Sequence, residues 1–202
     1  MIVTSYFGVP FYKSKIYLDP SIINETKNLD FNRINEDYCF ASQNKYVMND
    51  NLFQPITEQV IAHSELFFRT FLKISKNINF KITNSWIIKH VRGDYSKEHR
   101  HDNSIFSGII YLQTNENSGK FVMRSPHSFL HQGFRLEYDE YNEYNSEKWW
   151  LQPKTGDIFL FPSSLVHEVT PSQTEEERYC LAFNFFVSGK IGNNTIGELN
   201  IK

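Results

Sequence analysis

Hydrophobic positions change their period near residue 80. Before it, Phe53, Ile56, Val60, Phe67, Phe71 and Ile74 recur every three or four residues, with His63 or Ser64 filling the gap. That spacing lines one face of a helix, so it predicts an amphipathic helix from Asn51 to Lys73, with Pro55 tolerated in its first turn. Beyond residue 80 the chain breaks into short β-like runs: Ser85–Val91, Ile105–Gln113, Lys120–Met123, Trp149–Gln152, Asp157–Phe161 and Arg178–Val187. Several are apolar on both faces, as in IFLF and CLAFNFFV. Such strands belong in a sheet covered on one side by another sheet and on the other by the helix. Many short strands with turn signals indicate a jelly roll or barrel.

The remaining stretches carry less pattern. Residues 1–18 read as one or two edge strands around Pro10, and Pro20–Asn28 as a short helix introduced by Asp19. Residues 29–50, rich in Asn and Asp, read as loop. The turn from Gln152 to Asp157 is scaffold that sends the next strand toward His167. The Tyr- and Glu-rich segment Pro126–Trp150 is long for a connection and reads either as a lid or binding loop or as a surface insertion. The expected organisation is a single domain: a helical and strand support region over 1–79, a β core over 80–188 and a polar tail over 189–202.

Composition narrows the class. At 202 residues and 40% hydrophobic, the chain can build one sizeable core. A net charge of -2 without a basic field argues against nucleic acid. No run approaches the roughly 18 apolar residues of a membrane span, and the N-terminus lacks the basic start of a signal peptide. Two cysteines, Cys39 and Cys180, make neither a disulfide framework nor a zinc motif and suit a reducing compartment. The expectation is a cytoplasmic protein without membrane or nucleic-acid partners; a homodimer stays open.

The candidate chemistry lies in His99-Arg100-His101 and in the later His167. Residues i and i+2 of a strand share a face, so both imidazoles of H-x-H can meet one metal ion. Imidazole suits iron or zinc. Three histidines are the expected ligand set; Asp102 is the alternative ligand, since a turn there could bring a carboxylate inward. Arg178, 178 − 167 = 11 residues after His167, has room to turn and return alongside it. An inward Arg would grip a carboxylate bidentately; otherwise it is an edge-strand residue paired with Glu175 or Glu176. Tyr111 could hydrogen-bond the same anion. Ser107 and Asn184 are small polar residues in apolar strands and need partners, from a ligand, a water or the backbone.

From Trp86 to about Phe186 the chain resembles the iron(II)/2-oxoglutarate-dependent oxygenase superfamily. It looks most like a sparsely characterised branch common in phages and bacteria, and more distantly like prolyl hydroxylases. The residues that carry the likeness are His99-Arg100-His101, Ser107-Gly108, Tyr111-Leu112, Pro153 to Gly156, Phe161-Pro162-Ser163, His167 with Val169 and Pro171, and Arg178 to Asn184. The resemblance implies a double-stranded β-helix (jelly roll, cupin-like) backed by one long helix. It implies Fe(II) held by His99, His101 and His167, and 2-oxoglutarate held by Arg178 together with Tyr111; Ser107 and Asn184, from their own placement, are further candidates to bind it. It further implies a hydroxylase-type dioxygenase with ascorbate as an optional reductant, acting on a small molecule or a protein side chain, in the host cytoplasm if a phage encodes it. His101 stands where the superfamily usually has an acid. Two other readings remain: a three-histidine oxygenase that does not use 2-oxoglutarate, and a non-catalytic jelly-roll module.

Overall fold

The computed structural model describes residues 8–34, 38–126, 136–142, 144–192 and 196–201. Its strands are β1 (Tyr12–Lys15), β2 (Phe31–Ile34), β3 (Cys39–Ser42), β4 (Ile78–His90), β5 (Ser96–His99), β6 (Phe106–Gln113), β7 (Phe121–Arg124), β8 (Lys148–Leu151), β9 (Asp157–Pro162), β10 (His167–Val169), β11 (Arg178–Ile191) and β12 (Leu199–Ile201). Helices α1 (Ser21–Lys27) and α2 (Gln54–Glu65) precede most of them. An eight-stranded major sheet runs β1-β9-β6-β11-β4-β3-β2, with β12 added to β11, and a four-stranded minor sheet runs β5-β10-β7-β8. Two facing sheets with a helix behind the larger one are the jelly roll that the strand pattern indicated, in the double-stranded β-helix form that the resemblance implied.

Alternation along β11 shows how the layers are built. Tyr179, Leu181, Phe183 and Phe185 face away from the minor sheet and pack with Phe53, Ile56, Val60, Phe67 and Phe68 of the helical segment. Cys180, two residues along from Arg178 on the inner face, packs with Tyr111, Phe121, Phe159, Phe161 and Leu165 between the sheets. A strand buried on both faces needs apolar residues at every position, which is why CLAFNFFV lacks a period. Each large side chain removed from water contributes about 1.5–3 kcal/mol.

Three expectations are corrected. First, the loop of 29–50 contains β2 and β3, which extend the major sheet beyond β4; a four-residue strand in Asn-rich sequence has too few positions to show a period. Second, the long helix is α-helical only to Glu65, then turns π-helical over Leu66–Phe71. The wider turn slips the buried face by one residue, so Phe68 is fully buried while Phe71 is exposed. Third, the chain does not return alongside His167: β10 lies in the minor sheet and Arg178 opens β11 in the major sheet. The polar 189–202 segment includes the end of β11 and the whole of β12, which pairs with it. Of Pro126–Trp150, residues 127–135 and 143 lie outside the described residues, and the segment ends in β8.

Gly108 marks the tightest point of the layering. A Cβ built there would lie 2.3 Å from the Phe183 ring and 2.7 Å from Leu160. Gly108→Ala should therefore destabilise the protein by about 1–3 kcal/mol through overpacking; an unchanged urea midpoint would show that the Phe183 ring can yield.

Candidate active site

The two sheets bring three distant segments to one cavity of about 220 Å³, larger than a single water needs. His99 ends β5 and pairs across the ladder with His167 of β10. His101 lies just past β5, and its backbone N–H donates to the Ser163 carbonyl at 3.0 Å, which tethers it beside the other two. One ligand nitrogen from each of the three imidazoles lies within 4.8 Å of the others. Ring centroids are 4.4 Å apart for His99–His167 and 5.2 Å for each pair with His101.

Backbone carbonyls orient two of the rings. His99 Nδ1 donates to Lys97 O at 2.7 Å and His167 Nδ1 donates to Leu165 O at 2.9 Å. A carbonyl only accepts, so Nδ1 carries the proton and Nε2 keeps its lone pair, the arrangement a metal-binding imidazole requires. Burial, then the neighbouring His99, holds His101 down at about 4 and His167 at about 3. Both are neutral donors at neutral pH. Three convergent imidazoles fit a divalent transition metal. Asp102 does not join them: its side chain is 76% exposed and pairs with Arg100, because the chain turns at residues 102–103 with Asn103 at φ 58.

The same cavity is lined by Arg178, which has no exposed surface. Its Nε contacts Cys180 Sγ at 3.1 Å, its Nη1 donates to Ser118 O at 3.2 Å, and the guanidinium lies 5.1 Å from the centre of the Tyr111 ring. Among the described residues it has no carboxylate partner; Glu175 pairs with Arg92 and Glu176 with Asn115 instead. Burial works against its charge, but Cys180 and Tyr111 raise its pKa overall. Tyr111 is fully buried, and among the described residues its hydroxyl has no hydrogen-bond partner. Burial pushes that phenol far above its ordinary value, so it stays a hydroxyl. A buried cation on the cavity wall fits an anionic ligand group such as a carboxylate; the Tyr111 ring packs near that cation without itself lining the cavity. Ser107 and Asn184 are placed differently: Ser107 donates to Asn184 Oδ1 at 2.7 Å and lies 2.8 Å from Ser163 Oγ, a closed buried network that does not line the cavity.

Sequence reading missed His90, Trp86 and the thiols, all of which line this cavity. His90 is the direct cross-strand partner of Arg178 and lies 3.1 Å from Ser96 Oγ through Nε2. Burial first, then the Arg178 charge, lowers it to about 3. Trp86 stands beside His101, with ring centres 5.9 Å apart. Trp86, Ile88 and His90 alternate along one predicted strand, as do Arg178 and Cys180, so the i, i+2 rule that gave H-x-H could have found them.

The three depressed histidines set a pH dependence. His90, His101 and His167 are neutral in the folded metal-free protein down to about pH 4, whereas unfolded histidines protonate below about 6.5. The unfolded state binds more protons in that window, so stability rises with pH through it and is lost on acidification. The urea midpoint of metal-free protein should fall between about pH 7 and about pH 4.5, and the fall should shrink in His90→Gln. A midpoint that does not move would contradict the burial of these rings.

Comparison with known proteins agrees with this chemistry. A family model described as "Putative 2OG-Fe(II) oxygenase" matches residues 84–184, half of the chain. No curated protein matches. Among solved structures, an oxidoreductase of the 2OG-Fe(II) oxygenase family from Burkholderia pseudomallei superposes with TM-score 0.60 at 13% identity, covering 87% of this chain and 83% of that one. A Pseudomonas putida prolyl-4-hydroxylase gives 0.55 at 15%, covering 88% and 92%. HygX from Streptomyces hygroscopicus, solved with nickel and 2-oxoglutarate, gives 0.61 at 11%, covering 88% and 82%. At such identities these likenesses establish the fold. With the family model spanning β4 to β11 and three imidazoles gathered at one point, the chain belongs to the 2OG-Fe(II) oxygenase family.

Proposed function

We propose that His99, His101 and His167 hold iron(II), that Arg178 and Tyr111 hold the far carboxylate of 2-oxoglutarate, and that the enzyme hydroxylates a small molecule or a protein side chain. The observation that carries this is Arg178, a fully buried cation that lines the same cavity as the three-histidine cluster. HygX, solved with nickel and 2-oxoglutarate together, supports the pairing of metal and cosubstrate in this fold. Iron(II) with 2-oxoglutarate supplies oxidising power toward a C–H bond, the cosubstrate leaving as succinate and carbon dioxide. Arg178 offers the N–H groups not used by Cys180 and Ser118, and Tyr111 donates its otherwise unpartnered proton. His101 and His167, held neutral by burial, present lone pairs rather than protons. The apolar walls, Ile88, Phe121, Phe161 and Val169, exclude water around the cation and the histidines. The division into a support region (1–79), β core (80–188) and tail (189–202) is retained as a working description. Among the described residues no helix is long and apolar enough to cross a membrane. We place the protein in a cytoplasm, that of the host if a phage encodes it, because Cys39 and Cys180 are buried thiols beside the cosubstrate pocket.

His167→Ala should weaken iron binding by more than the 10–100-fold typical of losing an outer-shell partner, measured by competition with a chelator. A change below about tenfold would remove His167 from the ligand set.

Arg178→Ala should leave metal affinity intact and weaken 2-oxoglutarate binding by about 2–5 kcal/mol, with Arg178→Lys recovering only part. Titration of iron-loaded protein through the metal-to-ligand absorption band reads this directly. A parent-like affinity would favour the three-histidine oxygenase that does not use 2-oxoglutarate, a reading that His101 in place of an acid keeps open.

A further inference from the structure

The major-sheet wall of the cavity is ordered in cross-strand rows. Arg178 lies opposite His90, Cys180 opposite Ile88, and Ala182 opposite Trp86, and all six residues line the cavity. Trp86 stands beside His101, so its row marks the histidine side of the wall. His90 is four residues along β4 from Trp86, roughly 13 Å at the rise of a strand. The row of Ile88 and Cys180 lies between them. Opposed residues in an antiparallel ladder share a face, with Cβ atoms about 4.5–5.5 Å apart. His90 and Arg178 are therefore neighbours on the wall, away from the metal ligands.

The function proposed above leaves His90 without a task, yet its hydrogen bonding is incomplete. The residue is 1% exposed, and among the described residues its Nδ1 makes no hydrogen bond. Its Nε2 lies 3.1 Å from Ser96 Oγ. Burial first, then the Arg178 charge, keeps the ring neutral against a smaller pull from the Tyr95 backbone, so it carries a single N–H. A hydroxyl both donates and accepts. When Ser96 donates to Nε2, the ring's proton stands on Nδ1, with no heavy atom displaced. A buried nitrogen without a partner costs free energy that an acceptor in the cavity would recover. Other donors near Arg178 are few. Tyr111 does not line the cavity, Ser96 is engaged with His90, and thiols donate weakly.

We propose that His90 is a cosubstrate-selecting residue: its Nδ1–H donates to the far carboxylate of 2-oxoglutarate while Arg178 grips the same group from the adjacent strand, and Ser96 holds the ring in the donating tautomer. This rests on Arg178 being the cosubstrate anchor. The neutral ring adds direction without adding charge, so one cation faces one anion. It stabilises a carboxylate and does nothing for an apolar end of the same length. His90 takes no part in binding iron.

Binding is read from the metal-to-ligand absorption band of iron-loaded protein kept free of oxygen. Two 2-oxo acids are titrated: 2-oxoglutarate, and 2-oxopentanoate, which carries a methyl group in place of the far carboxylate. Two variants separate the ring nitrogens. His90→Gln sets its amide near Nε2 and removes the Nδ1 donor, whereas His90→Asn sets an amide N–H where Nδ1 stands. His90→Gln should weaken 2-oxoglutarate about ten- to a hundredfold, the size of one hydrogen bond to a charged group, and 2-oxopentanoate by less than about threefold. His90→Asn should recover most of the loss. A residue that only shapes the wall would move both acids alike. Equal weakening of the two acids, no weakening of 2-oxoglutarate, or loss of iron binding in both variants overturns the role. Arg178→Ala is measured alongside. If it binds 2-oxoglutarate as the parent does, the cosubstrate reading falls and the role of His90 with it; if it weakens binding while His90→Gln does not, only the role of His90 falls.

Discussion

A guanidinium sealed inside the protein without a carboxylate is the constraint around which the cavity is arranged. Removing such a charge from water costs several kcal/mol after relaxation, and Arg178 recovers part of it from the Ser118 carbonyl, the Cys180 sulfur and the Tyr111 ring. The groups around it follow from that charge and from burial together. Burial keeps Tyr111 a hydroxyl and Cys180 a thiol, and burial with the arginine's own field keeps His90 neutral. The pocket therefore holds one positive charge and no negative one. Replacing Arg178 with an apolar residue of similar volume would relieve the free protein while removing the buried cation that the proposed cosubstrate needs, the usual conflict between stability and a preorganised site.

Much of this was readable from spacing alone. The period of 3.6 before residue 80 gave the helix, and doubly apolar runs gave a sheet covered on both faces. His99, His101 and His167 were legible because a metal needs several donors, and chance seldom sets two of them two residues apart. Arg178 was ambiguous for a physical reason: the glutamates just before it offer a plausible surface partner, and only burial shows that Glu175 and Glu176 look elsewhere. Ser107 and Asn184 were polar residues in search of partners and found each other through a ladder pairing invisible in sequence. The exchange of Phe68 for Phe71 was equally hidden, since a π turn changes the period without changing composition.

The division of labour between the sheets explains how one fold serves several chemistries. The major sheet, anchored by the helical segment, supplies Arg178 and Tyr111 from long strands that cannot shift without breaking the core. The minor sheet supplies His99 and His167 from strands of four and three residues. Residues around such short strands can vary without disturbing the major sheet.

That asymmetry bears on the lifetime of the protein. β5 is an edge strand of four residues, its ladder to β10 is irregular between His167 and Val169, and the His99–His167 rung is one of its two register pairs. On the proposed ligand set, a bound ion ties both sides of that rung at the point where backbone pairing is thinnest. Ion affinity then becomes local folding free energy by mass action. A cell short of iron would hold not merely an idle enzyme but one whose minor sheet frays at its edge, offered first to proteolysis.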